Sequence, residues 1–167
     1  MRVHSFPPVI DERARVLVLG SMPGTASLEK HQYYGHPRNY FWPVLYGLFD
    51  RTPDAGYENR LAFAQSHRFA LWDVIASCER EGSLDVNIKG ELPNDLPGLI
   101  AQYPGIRCLA FNGSKAHDTF LKVFGSDRVL GSIDRLKLPS TSPVPTPRMR
   151  NAADRMEVWR AVLPFIG

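Results

Sequence analysis

The sequence predicts a single-domain α/β fold with a central, mostly parallel four-stranded sheet flanked by helices. Three observations predict it. Val16 to Leu19 is an uninterrupted apolar run, the pattern of a strand buried on both faces. Short runs of this kind alternate with stretches of helical periodicity along the chain. The runs ending at Leu19, Phe111 and Leu138 give way to loops of small and polar residues, which a parallel sheet gathers at one rim.

The elements follow in order. Residues 1 to 15 are polar with a Pro7-Pro8 break and read as an extended approach to the first strand. The loop after Gly20 is long, lacks a clear helix of its own, and is therefore expected to be functional. Residues 42–49, WPVLYGLF, carry apolar positions at helical spacing, with Pro43 tolerable near a helix start. Asp50 to Gly56 is a turn cluster, and Tyr57 to His67 a second helix burying Leu61 with Phe63 or Ala64. Phe69 to Trp72, followed by Asp73, is the second strand. Ser77 to Asp95 shows little periodicity and reads as loop with at most one turn of helix. Asp95 caps a helix over Leu96 to Gln102, its carboxylate accepting from first-turn N–H groups. Arg107 to Phe111 is the third strand. Ser114 caps a helix whose stripe is Ala116, Phe120 and Phe124. Arg135 to Leu138 is the fourth strand, and Ala152 to Ile166 a final amphipathic helix with Met156, Trp159, Val162 and Leu163 inward.

At 167 residues the chain is expected to form one domain with a real core. Its hydrophobic content of 44% and charged content of 22% are those of a soluble globular protein. A formal net charge of +3 permits an anionic partner without demanding one. Cys78 and Cys108 form no CxxC pair and are too few for an iron–sulfur cluster or a four-cysteine zinc site. They read as reduced, buried thiols of a cytosolic protein. No secretory leader and no run of ~18 apolar residues is present, so a cytoplasmic location without membrane contact is expected.

Chemistry concentrates in three loops: GSMPGTASLEKHQYYGHPRN after the first strand, FNGSKA after the third, and LPSTSPVPTPRMRN after the fourth. Met22 stands where a nucleophile elbow needs serine. The phosphate-binding patterns GxxxxGK[ST] and GxGxxG are both missing. The histidines His4, His31, His36, His67 and His117 make no HExxH or similar ligand pair, so no metal is expected. The rim suits a planar ring attached to a phosphate chain.

GSMPG, YGHPRNYFW, FNGSKA and LPSTSP, in this order and with SLDVNI between them, resemble the motifs of the uracil-DNA glycosylase superfamily. The likeness is greatest to its hypoxanthine-DNA (deoxyinosine) glycosylase branch. It implies a uracil-DNA glycosylase-like fold over residues 1–167. The implied enzyme is monofunctional, acts in base excision repair, and hydrolyses the N-glycosidic bond of an extruded deaminated base. Hypoxanthine is the first candidate and uracil the second. The implied partner is double-stranded DNA carrying such a base, bound by a monomer that needs no cofactor and lies on the nucleoid if bacterial.

The resemblance also implies roles. Tyr34 takes the place of the aromatic that stacks on the extruded base, an interaction worth roughly 1–3 kcal/mol. Asn39, the Asn of HPxN, is the implied catalytic residue, because Ser21 and Met22 stand where many relatives carry a water-orienting acid or amide. Its amide oxygen can accept from water and aim a lone pair at the sugar carbon. Backbone N–H groups of Ser21 and Met22, with the Asn112 side chain, would face the departing base, and Pro23 completes that wall. Leu138 replaces the His or Asn that many relatives place before Pro-Ser, removing one donor to the leaving group. Hydroxyls of Ser140, Thr141 and Ser142 are expected toward phosphates, and Arg148 in the vacated stack. His36 reads as a structural hydrogen-bonder, Lys115 as a solvated cation or phosphate contact, and Asp73 and Asp85 as groups that cap or pair. A non-catalytic binder of nucleotides or damaged DNA, and a small-molecule nucleoside hydrolase, are the rival classes. The proline-rich third loop suits a long polymer better than a free nucleoside.

Overall fold

A computed structural model of the chain describes residues 2–144 and 146–167. Met1, in the N-terminal approach, and Pro145, in the third loop, lie outside the described residues. The chain begins with β1 (Arg2–His4) and β2 (Val16–Gly20), then α1 (Thr25–Lys30), α2 (Phe41–Gly47) and α3 (Tyr57–Ser66). Next come β3 (Phe69–Asp73), β4 (Ile75–Glu79), a 3-10 turn at Asp85–Asn87, and β5 (Lys89–Pro93). The remainder is α4 (Leu96–Gln102), β6 (Cys108–Asn112), α5 (Ser114–Phe124), α6 (Arg128–Gly131), β7 (Asp134–Leu138) and α7 (Ala152–Trp159). A 3-10 turn over Arg160–Phe165 ends the fold.

The main sheet has four strands in the order β3-β2-β6-β7, and every neighbouring pair is parallel. This is the expected architecture. The four residues Val16 to Leu19 are wholly inaccessible to solvent. Val16 and Val18 face a layer holding α2, α3 and α7, whereas Leu17 and Leu19 face α4 and α5. Each such side chain contributes about 1.5–3 kcal/mol through burial, which explains why a run apolar at every position was required. Asp95 caps α4 as expected, accepting from Gly98 N–H at 3.0 Å.

The parallel register sets the rim. Gly20 pairs with Asp73, and Asn112 with Leu138, so all four strands end level at their carboxyl ends. The loops that follow are thereby held side by side.

Several local expectations are corrected. The segment 77–95, expected as loop, carries most of a second sheet of order β1-β4-β5, antiparallel throughout. Its strands are short, two of them polar, and β4–β5 is interrupted by register shifts, so alternation never builds up over four residues. The first loop contains α1, and α6 was not expected at all. Ser114 is the first residue of α5 rather than its cap; Gly113 holds the cap position with φ 96°, a conformation that disfavours any side chain there. The last helix is α-helical only to Trp159 and then tightens. Both thiols are free and buried. Among the described residues, no helix is long and apolar enough to cross a membrane.

Candidate active site

A cavity of about 560 Å³ opens at the rim where the three loops meet. Its size lies within the range of small-molecule and cofactor pockets. The first loop forms one wall. Ser27 Oγ accepts from Gly35 N–H, and Lys30 Nζ donates to Gly35 O, both at 2.9 Å. Trp42 Nε1 donates to Tyr33 O, and the Tyr33 hydroxyl to Pro7 O. These bonds fold the chain back so that Tyr34, at φ 56°, turns its ring onto Phe41 with centroids 4.1 Å apart. Tyr34 is thus both packed and a lining residue, with Phe41 as a rigid backing.

Asn39 also lines the cavity. Its Oδ1 accepts from Phe41 N–H at 2.8 Å, and its own N–H donates to His36 O. The side chain is therefore held by the start of α2, with one oxygen lone pair and the amide N–H groups left to a ligand. His36 Nδ1 accepts from Arg38 N–H at 3.0 Å, the structural role expected of it.

Across the cavity, Asn112 clasps the third loop. Its Nδ2 donates to Thr141 Oγ1 and its Oδ1 accepts from Thr141 N–H, each at 2.9 Å. Thr141, 1% exposed, lines the cavity with its Oγ1 engaged by Asn112. Asn112 retains only its second amide hydrogen for a departing base. Ser140 and Ser142 do line the cavity, but Arg148 is exposed and lines no described hollow. Lys115 is paired with Glu91 at 2.9 Å rather than solvated.

The remaining wall is Ser21, Met22 and Pro23. Ser21 Oγ donates to Asp85 Oδ1 at 2.8 Å, which brings the 3-10 turn to the cavity edge. The Met22 side chain packs away among Ile75, Cys78 and Ile88, so only its backbone is available to a ligand. Asp73 closes the floor. It is 4% exposed, and burial, reinforced by the charge of Asp85 and opposed by Arg80, pushes its carboxyl up to about 7. Among the described residues, no group hydrogen-bonds its Oδ2. Gly20 makes this floor possible: a Cβ there would lie 2.6 Å from Asp73 Oδ1 and 3.4 Å from the Tyr34 hydroxyl. Burial holds the Tyr33 and Tyr34 phenols far above their usual range, so both stay protonated. No group of three or more His, Cys, Asp or Glu that could hold a metal occurs among the described residues.

Comparison with known proteins decides what this rim belongs to. The sequence profile of the uracil DNA glycosylase superfamily matches residues 7–163. The chain belongs to that superfamily. A relative named hypoxanthine DNA glycosylase from Methanosarcina barkeri (strain Fusaro / DSM 804) is 40% identical over 128 residues, 75% of this chain and 81% of the relative. One of the same name from Methanosarcina acetivorans is 36% identical over 162 residues, 95% of this chain and 96% of the relative. A solution NMR structure of a candidate uracil DNA glycosylase from Methanosarcina acetivorans superposes with a TM-score of 0.80 at 34% identity, covering 99% of both chains. The resemblance drawn from the motifs is borne out at the level of family and fold.

Two parts of the site in this superfamily member escaped the sequence. Arg155 in α7 is 1% exposed and donates to three carbonyls, Ser140 O at 2.7 Å, Asn151 O at 3.1 Å and Ser142 O at 3.2 Å. Its guanidinium also lies over the Tyr40 ring, while Tyr40 N–H donates to Thr141 O. Nothing in its local sequence separates Arg155 from a surface arginine. Asp73 had a signal, an acid closing an otherwise apolar strand, but pairing explained it equally well.

Proposed function

We propose that the chain, residues 1–167 as one unit acting as a monomer, is a DNA glycosylase that removes deaminated bases from double-stranded DNA. Hypoxanthine is its first substrate and uracil its second. The observation that carries this reading is the convergence of Tyr34, Asn39, Asn112 and the Ser140 turn on one cavity. The superfamily membership and the names of the two relatives support it.

The target nucleotide leaves the stack, at a cost of a few kcal/mol that a mispaired base lowers. Tyr34, backed by Phe41, receives the base on its face. Asn39 is fixed by the Phe41 N–H, and its remaining lone pair orients a water toward C1′ of the sugar. The glycosidic electron pair departs with the base, which the Ser21 and Met22 backbone and the free Asn112 N–H steady. Ser140 and Ser142 lie toward the flanking backbone. Arg148, outside the cavity, reaches the duplex from its rim.

The engaged oxygen of Asn39 is the observation favouring a non-catalytic binder, and one assay separates the two. Protein with chelator is incubated with duplexes carrying hypoxanthine or uracil, abasic sites are cleaved with alkali, and shortened strands are sought. Asn39→Ala is expected to lower excision at least ~100-fold, the scale of a positioning defect, while retaining DNA affinity. An unmodified chain that binds both duplexes and cuts neither would leave only the binder.

A further inference from the structure

We propose that Asp73 is the acid that protonates N7 of the departing hypoxanthine, an inference that rests on the glycosylase reading above. Asp73 ends β3 on the cavity floor, enclosed by Gly20, Tyr34 and the turn that carries Asp85. Its buried Oδ2 has no hydrogen-bond partner among the described residues. A carboxyl kept in a closed floor without a donor aimed at it is suited to its neutral form, whose O–H then needs an acceptor. An extruded 6-oxopurine brings one, since N7 is an acceptor at the edge of its ring. N7 is also the most basic ring nitrogen of an inosine nucleoside.

The charged and titratable groups facing Asp73 are Tyr33 and Tyr34 from the first loop, Arg80 beyond β4, and Asp85 from the 3-10 turn. Burial and Asp85 raise the carboxyl to about 7, against the pull of Arg80, so that a substantial share of it carries the proton at neutral pH. As the N9–C1′ bond breaks, its electron pair passes to N9 while the Asp73 proton passes to N7. The base leaves neutral with hydrogen on N7, and Asp73 remains as carboxylate. Water adds to C1′, its spare proton goes to solvent, and the carboxylate takes a proton back. Uracil has no N7, so this assistance favours the purine.

Single-turnover excision from duplexes carrying deoxyinosine or 7-deaza-deoxyinosine, by wild-type and Asp73→Asn chains, tests the proposal. Wild type is expected to prefer deoxyinosine, and the variant to shrink that preference at least ~100-fold, the lower end of what a positioned acid supplies. The wild-type rate on deoxyinosine should fall as pH rises above about 7, and the variant's should not. An undiminished preference in Asp73→Asn overturns the proposal and points instead to a carboxylate accepting from N1–H, which the 7-deaza base retains. A wild-type profile flat between about pH 6 and 9 overturns it without any variant. Both outcomes leave the glycosylase reading intact; a wild type inert on deoxyinosine but active on a uracil duplex overturns only the proposal, and one inert on both takes both down.

Discussion

Asp73 shows how much one residue can bind folding to pH. Its carboxyl is lifted from 3.8 to about 7 in the folded chain. The folded state therefore keeps a proton that the unfolded state gives up between those values. The stability this group contributes is complete below the unfolded value and is lost as pH rises through the folded one. Urea midpoints should fall between about pH 5 and pH 8 in wild type, and fall less in Asp73→Asn, by a few kcal/mol at most. Parallel curves for the two chains would remove the burial penalty from the account. Residue roles were unevenly legible. Asn39 and Tyr34 stood out because a motif surrounds them, but the bond that fixes Asn39 to Phe41 N–H appears only once α2 is in place.

At the scale of elements, α7 is the brace of the third loop. Arg155 spreads one guanidinium over carbonyls of Ser140, Ser142 and Asn151, and hydrogen bonds to charged groups contribute roughly 1.5–3 kcal/mol each. Arg155→Met keeps the bulk and orphans those carbonyls. It should cost on the order of 3 kcal/mol of stability and weaken excision along with it. Arg155→Lys should fail to restore either, because an ammonium lacks the planar fork. Full recovery by lysine, in urea titration and in single-turnover rate, would reduce Arg155 to a charge. The strands of the main sheet were readable because each is a near-continuous apolar run. The β1-β4-β5 sheet was not, because its strands are short, two of them are polar, and the β4–β5 register shifts. The cap at Gly113 went unseen because its φ of 96° and the neighbouring Ser140 turn, 3.2 Å from where a Cβ would sit, appear only in the folded chain.

For the molecule as a whole, the parallel order β3-β2-β6-β7 does most of the assembling, since it delivers the loops after β2, β6 and β7 to one edge. That much followed from strand–helix alternation alone. How the loops hold one another did not, because Asn112–Thr141 and Tyr40–Thr141 are contacts between segments far apart in the chain. The two sulfhydryls extend this view to motion. Cys108 sits in the middle of the main sheet, Cys78 in the small one behind Met22, and burial raises the pKa of both. Neither can meet a thiol-specific dye until its surroundings open. Cys78 lies on β4, the middle strand of a small sheet of short, irregularly paired strands, which opens at lower free energy than the main sheet, so Cys78 should be labelled first and Cys108 only at the rate of global unfolding. A single common rate would mean that the two sheets part together. The chain thus carries two built-in clocks at different depths, and the faster one reports on the backing of the wall against which a substrate would rest.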